Sequence, residues 1–239
     1  MLGAIWPWPL TPFNTRFLGA IYLESVIAAA AVVWCARWAP TRVVLPMIAL
    51  FTVIVLIDSL VYLDRFALRS AATWLWFVLY VGVPANALYH LWVYRDLHPA
   101  DPAPPPPPLR AGLLAQAVAL GLYGTGLLIA PGAFSGFWPW PVDDFHARMY
   151  SVAFLAPALG AWLLRRAAAA VELLTMGLTQ LAGGTLAIAG LAVVDLAVRR
   201  VAWARTGTWL WIGLFALTAL MGVWMTAASA GRPARQDRR

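Results

Sequence analysis

The chain contains no lysine, a single cysteine, and charged residues at only 11% of its 239 positions. Without lysine there is no side-chain amine for a Schiff base, which excludes a retinal pigment. One cysteine, Cys35, permits neither an internal disulfide nor an iron–sulfur cluster. Charge is also missing before Arg16. The N-terminal stretch therefore lacks the basic region and h-region of a cleaved signal peptide, and the first apolar span is expected to serve as the targeting signal. Zincin pair, nucleophile elbow, phosphate loop, haem-attachment motif and dinucleotide fingerprint are all absent. A non-enzymatic role is expected, with no catalytic residue, metal or cofactor assigned.

Hydrophobic residues are plentiful, at 62% of the chain, and their runs are long. Crossing about 30 Å of hydrocarbon takes about 20 helical residues at ~1.5 Å each. Seven stretches are expected to cross: residues 17–36, 43–63, 70–94, 111–130, 149–164, 173–198 and 206–230. The fold class is thus an all-α polytopic membrane bundle. The net charge of +7 comes from arginines placed singly or in pairs at the ends of apolar runs. They read as membrane flanks rather than a basic face, so the bilayer, not nucleic acid, is the expected partner. The fifth run is only 16 residues long between Arg148 and Arg165, so these arginines are expected to snorkel or the bilayer to thin. Pro84 is expected to kink the third span, and Gly183-Gly184 to allow close helix approach in the sixth.

Trp6-Pro7-Trp8-Pro9 reappears as Trp138-Pro139-Trp140-Pro141, and the same offset pairs Phe13 with Phe145, Arg16 with Arg148 and Leu23 with Leu155. Thr73-Trp74-Leu75-Trp76 matches Thr208-Trp209-Leu210-Trp211 at an offset three residues longer. The expected organisation is two parallel repeats, three spans plus four. They would be residues 1–97 and 111–230, joined by a proline-rich linker at 98–110 and followed by a basic tail at 231–239. The fourth span has no counterpart before Trp6, so the first repeat either lost a helix or begins upstream. Placing the linker and tail in the cytoplasm puts ten arginines there and seven outside, which favours an external N-terminus and a cytoplasmic C-terminus. Both Trp-Pro-Trp-Pro motifs then lie on the external face.

Two readings compete for the motif tryptophans Trp6, Trp8, Trp138 and Trp140. They are interfacial anchors that set the depth of the following helix, or aromatic caps over a cavity between the halves. Arg16 and Arg148 follow the motifs at equal spacing and suit the phosphate level of the membrane. Glu24 and Asp58 are acidic residues inside spans, where each costs roughly 2.5–3.5 kcal/mol on insertion scales and therefore faces a partner or a wet cavity. If spans one and two are antiparallel neighbours, the two carboxyls lie in the same third of the membrane and are positioned to meet. An Arg16–Glu24 ion pair is also possible in register. Asp143, Asp144 and His146 read as a solvated acidic loop in preference to a metal site. Glu172 and Asp195, at the two ends of the sixth span, are expected to reach water.

The segment Trp-Pro-Trp-Pro-Leu-Thr-Pro-Phe-Asn-Thr-Arg, residues 6–16, resembles a motif of uncharacterised multi-pass membrane proteins from GC-rich bacteria. The resemblance implies a bacterial inner-membrane location and carries no assigned functional residue. The expected function is binding, and passage, of a small or lipidic molecule in an external-facing cavity between the repeats. The cavity would be lined by the four motif tryptophans, Arg16, Glu24, Asp58, Asp143, Asp144, His146 and Arg148. The alternative is an accessory or assembly subunit whose glycine-rich sixth span and uncharged third and seventh spans pack on a partner or a second copy.

Overall fold

A computed structural model of the chain describes residues 6–99 and 102–231. The segments Met1 to Ile5 and residues 232–239, where the expected first repeat would start and the basic tail lies, are outside the described residues.

Helix α1 runs Pro12–Cys35 and begins five residues before its apolar run. The reason is local. The Thr11 side chain accepts the Asn14 N–H, and Pro12 sits where a missing N–H costs nothing. Ala36, in the left-handed region, turns the chain into α2, Trp38–Val61. A 3₁₀ turn, Leu63–Arg65, leads to α3, Ala71–Val93, which takes Pro84 into its interior without ending. Helix α4, Pro107–Ile129, starts inside the proline run rather than after it, because prolines are tolerated in a first turn. The preceding linker is tied down by reciprocal backbone hydrogen bonds between Ala103 and Ala168, at 3.2 and 3.0 Å.

After the short α5, Pro131–Phe134, come α6, Asp144–Tyr150, and α7, Val152–Leu164. These two meet at Ser151 and form one span of 21 residues, Asp144–Leu164. The expected short fifth span is therefore corrected. Asp143 caps it by accepting the His146 N–H, so Arg148 lies inside the helix and no thinning is required. The chain ends with α8, Ala170–Val198, and α9, Thr206–Ala230. Among the described residues, seven helical units are long and apolar enough to cross a membrane. No named strand occurs among the described residues, and the chain is a multi-pass integral membrane protein.

Both Trp-Pro-Trp-Pro segments lie at one end of the bundle, here the motif face, and the proline linker lies at the other, the linker face. The halves interlock rather than sit side by side: α1 packs on α8, and α2 on α7 and α8, while α4 covers α7 within the second half. Close approach of α8 to α9 depends on glycine. A Cβ on Gly184 would meet the Phe215 carbonyl and Ala219, and one on Gly177 would meet Thr226 and the Gly222 carbonyl. Gly183, on another side of α8, instead faces the Glu24 carboxyl of α1.

Candidate ligand site

The motif tryptophans are core residues. Trp8, Trp138 and Trp140 are almost fully buried, and Trp6 is half-buried against Trp8, Tyr22 and Trp76. The reading of these tryptophans as interfacial anchors is thus corrected. The indole N–H groups of Trp8, Trp138 and Trp140 find acceptors inside the protein, which removes the need for water at the interface, while Trp6 Nε1 is buried with no hydrogen-bond partner among the described residues. Trp8 Nε1 donates to His146 Nε2 at 3.2 Å, Trp140 Nε1 to Asn14 Oδ1 at 2.9 Å, and Trp138 Nε1 to the Tyr123 hydroxyl at 2.7 Å. Interfacial positions are held by other tryptophans, among them the exposed Trp74 and Trp209 at the N-termini of α3 and α9.

The first two of these bonds cross between the halves at mirrored positions. His146 stands where Asn14 stands in the other motif, three residues after the helix cap, and Trp140 stands where Trp8 does. Phe145 contacts Trp8, and Phe13 stacks on Trp140, in the same crossed sense. Next to the second sequence match, Thr73 and Trp74 donate to the carbonyls of Ala67 and Leu68. Thr208 and Trp209 donate to those of Ala202 and Trp203.

On the motif face, a pocket of about 450 Å³ is lined by Trp8, Asn14, Arg65, Asp143 and His146 among others. The Trp8 indole, the His146 ring and the Asp143 carboxyl are already engaged. The His146 ring bonds Asp143 Oδ1 through Nδ1 at 2.6 Å and accepts from Trp8 at Nε2, so neither ring nitrogen is free to act as a base or metal ligand. Arg65 reaches Asp143 Oδ2 at 3.6 Å. Partial burial opposes charge on Asp143, but the His146 backbone N–H, the His146 ring and Arg65 outweigh it and hold the carboxyl below its ordinary value. Asp144 is exposed in the first helical turn, where its charge suits the helix dipole. No cluster of three metal-ligating side chains occurs among the described residues.

Asp58, near the end of α2, is 3% exposed and within the field of Arg148 and Asp143. Asp58 Oδ2, Arg148 Nε and the Tyr150 hydroxyl are buried without hydrogen-bond partners. Arg148 also lies over the Tyr62 ring at 5.7 Å. Arg16 is exposed beside Gly190 and forms no ion pair with Glu24 among the described residues.

Glu24 belongs to a different site. Because α1 begins at Pro12, Glu24 falls halfway along the helix, deeper than a start at residue 17 implied. It lines a cavity of about 390 Å³ walled by α1, α2, α3, α7 and α8, together with Tyr22, Ser25, Thr52, Tyr80 and Thr179. Exposed residues of α1 (Ser25, Val26, Ala29) and α3 (Leu79, Val83) frame its opening, so it faces the bilayer sideways rather than the motif face. The Glu24 carboxyl has no hydrogen-bond or ion-pair partner among the described residues. Asp58 does not line this cavity, and the expected Glu24–Asp58 meeting is not observed.

Sequence reasoning missed the polar link on the linker face. Arg42 Nε and NH2 donate to the two Glu172 carboxylate oxygens at 2.8 and 3.0 Å, and Glu172 also accepts the Ala169 N–H at 2.8 Å. The expectation that Glu172 reaches water is corrected: its side chain is fully buried. A bidentate pair satisfies a buried carboxylate as water would, and a lone arginine 130 positions away carries no spacing signal for it. Asp195 instead binds the Arg200 and Val201 N–H groups and the Trp203 indole as the α8 helix ends.

No protein-family model matches the chain, and no curated protein or solved structure shows significant similarity to it.

Proposed function

We propose that the chain binds a membrane-dissolved small or lipidic molecule in the Glu24 cavity, entering from the bilayer between α1 and α3. One observation carries this reading: a carboxyl at mid-span, without a partner among the described residues, on the wall of a side-opening cavity of about 390 Å³. Such a group costs a few kcal/mol to insert and is retained where something outside the chain can engage it. The volume lies in the range of small-molecule pockets, and the wall has the usual mix of apolar surface with a few polar groups.

The proposed duplication explains why the cavity opens sideways. The crossed Trp8–His146 and Trp140–Asn14 bonds and the matching Thr–Trp caps support two copies of one unit. In the second copy α4 covers α7, with Gly124 against Leu155 and the Ser151 carbonyl, and Gly121 near Ala158. The corresponding residues of α1 are Leu23, Gly19 and Val26. Leu23 and Val26 are exposed, and a Cβ at Gly19 would meet nothing within 4 Å. Among the described residues no helix covers α1 where the cavity opens. Arginine bias and the motif resemblance support an inner-membrane protein with the motif face outward.

The accessory reading retains one favourable observation, the same uncovered α1 face, on which a partner helix can sit as α4 does on α7. Its glycine argument is weaker, because Gly177, Gly183 and Gly184 already face α9 and α1. A diazirine-bearing alkyl chain dissolved in nanodisc lipid separates the two. Saturable labelling of residues 21–29 and 79–83, abolished by Ala29→Phe, is the expected result. Labelling there that rises linearly with probe, as on the exposed face of α9, contradicts ligand binding.

A further inference from the structure

The polar atoms on the cavity wall are unequal in what they still offer. Ser25 Oγ donates to the Ile21 carbonyl at 2.9 Å, Thr52 Oγ1 to Ile48 at 2.7 Å, and Thr179 Oγ1 to Thr175 at 2.8 Å. Each hydroxyl hydrogen is therefore spent on the preceding turn of its own helix, and each oxygen keeps acceptor capacity. The Tyr22 and Tyr80 hydroxyls lie 2.6 Å apart. One donates to the other, which leaves a single O–H for the pair. Glu24 adds two carboxyl oxygens that no protein donor reaches. The few polar atoms on this largely apolar wall accept more readily than they donate, and the wall is negative or neutral, never positive, since no arginine or histidine lines it.

Resting on the ligand-binding reading above, we infer that the cavity selects a single-chain amphiphile with an amine head, whose N–H groups meet Glu24 and the hydroxyl oxygens. An ammonium supplies three donors, and its contact with a carboxyl is favourable whichever of the two groups holds the proton. An alcohol supplies one donor. A carboxylate or phosphate head supplies none when ionised and brings its charge against Glu24. The alkyl chain lies against the apolar remainder, including Val44, Ile48, Phe51, Leu79 and Val83, and leaves through the opening toward lipid.

The test uses the full chain in nanodiscs of zwitterionic lipid, loaded with equal amounts of dodecylamine, dodecanol and dodecanoate, and read by native mass spectrometry. Retention of dodecylamine about tenfold over dodecanol, with dodecanoate excluded, is expected. Glu24→Gln, which keeps the shape, is expected to level amine and alcohol, while Asp58→Asn, outside the cavity, leaves the preference intact. A matching melting temperature for Glu24→Gln and wild type establishes that the variant is folded, and Thr52→Val serves as a second reduction of the acceptor wall. Equal retention of all three probes, unchanged in Glu24→Gln, overturns the amine class and leaves the binding site standing. Retention of none overturns the binding site as well.

Discussion

The indole of Trp8 donates to Nε2 of His146 at 3.2 Å, across the boundary between the two halves of the chain. With Nδ1 bonded to Asp143, this contact assigns the proton of a neutral imidazole to Nδ1. Trp140 and Asn14 repeat the exchange in the opposite sense at 2.9 Å. The four residues join the two motif segments, and both indole donors and both of their acceptors are taken up by structure.

Removing either indole donor strands a buried acceptor. Trp8→Phe and Trp140→Phe are each expected to destabilise by about 1–3 kcal/mol, whereas Trp74→Phe on the lipid-exposed side stays within about 0.5 kcal/mol. Thermal unfolding in detergent measures all three, and a large loss in Trp74→Phe alone would invert the assignment of core and interface.

The seven spans were legible because uncharged runs of bilayer length have few alternatives. The helix starts were not. Arg16 and Arg148 resemble membrane borders, yet the capping side chains of Thr11 and Asp143 begin α1 and α6 several residues earlier, which deepens Glu24 and lengthens the fifth span. Tryptophan beside proline also reads as an anchor in one dimension. That Trp8, Trp138 and Trp140 are buried in one core depends on both motif loops arriving at one end of the bundle. Glu24 and Asp58 were legible as costly acids, but their separation into two environments rests on the helix packing, as does the Arg42–Glu172 pair.

Asp143 gives the motif face a pH dependence. Its carboxyl is held below the ordinary value of 3.8, so its charge stabilises the fold fully above that value. The contribution is lost as the pH falls through the lowered folded value. Asp143→Asn keeps the helix cap and removes the charge. Its melting temperature is expected to fall less than that of wild type between pH 6 and pH 2, and parallel curves would contradict the assignment.

Arg42→Met removes the bidentate guanidinium from the fully buried Glu172 carboxylate, at an expected cost of about 3–5 kcal/mol. Arg42→Met with Glu172→Leu is expected to recover most of that loss. A chemical-denaturation cycle over the four proteins reads the coupling, and additive losses would show that the pair does not act as a unit.

Glycine substitutions separate the surfaces of α8. Gly184→Ala drives a methyl into the Phe215 backbone carbonyl and is expected to cost about 1–3 kcal/mol. Gly82→Ala, in α3 with open space around it, is expected to stabilise by about 0.4–1 kcal/mol. Melting temperatures of the two variants should move in opposite directions.

The central claim is that the side-opening Glu24 cavity holds a membrane-dissolved molecule. Native mass spectrometry of the chain, taken from its own membranes into nanodiscs and released gently, tests it most directly. Wild type is expected to retain one small molecule, and Ala29→Phe, which fills the mouth from the lipid side, to fly as the bare chain at an unchanged melting temperature. Bare chains for both proteins, or the same adduct on both, would contradict the claim.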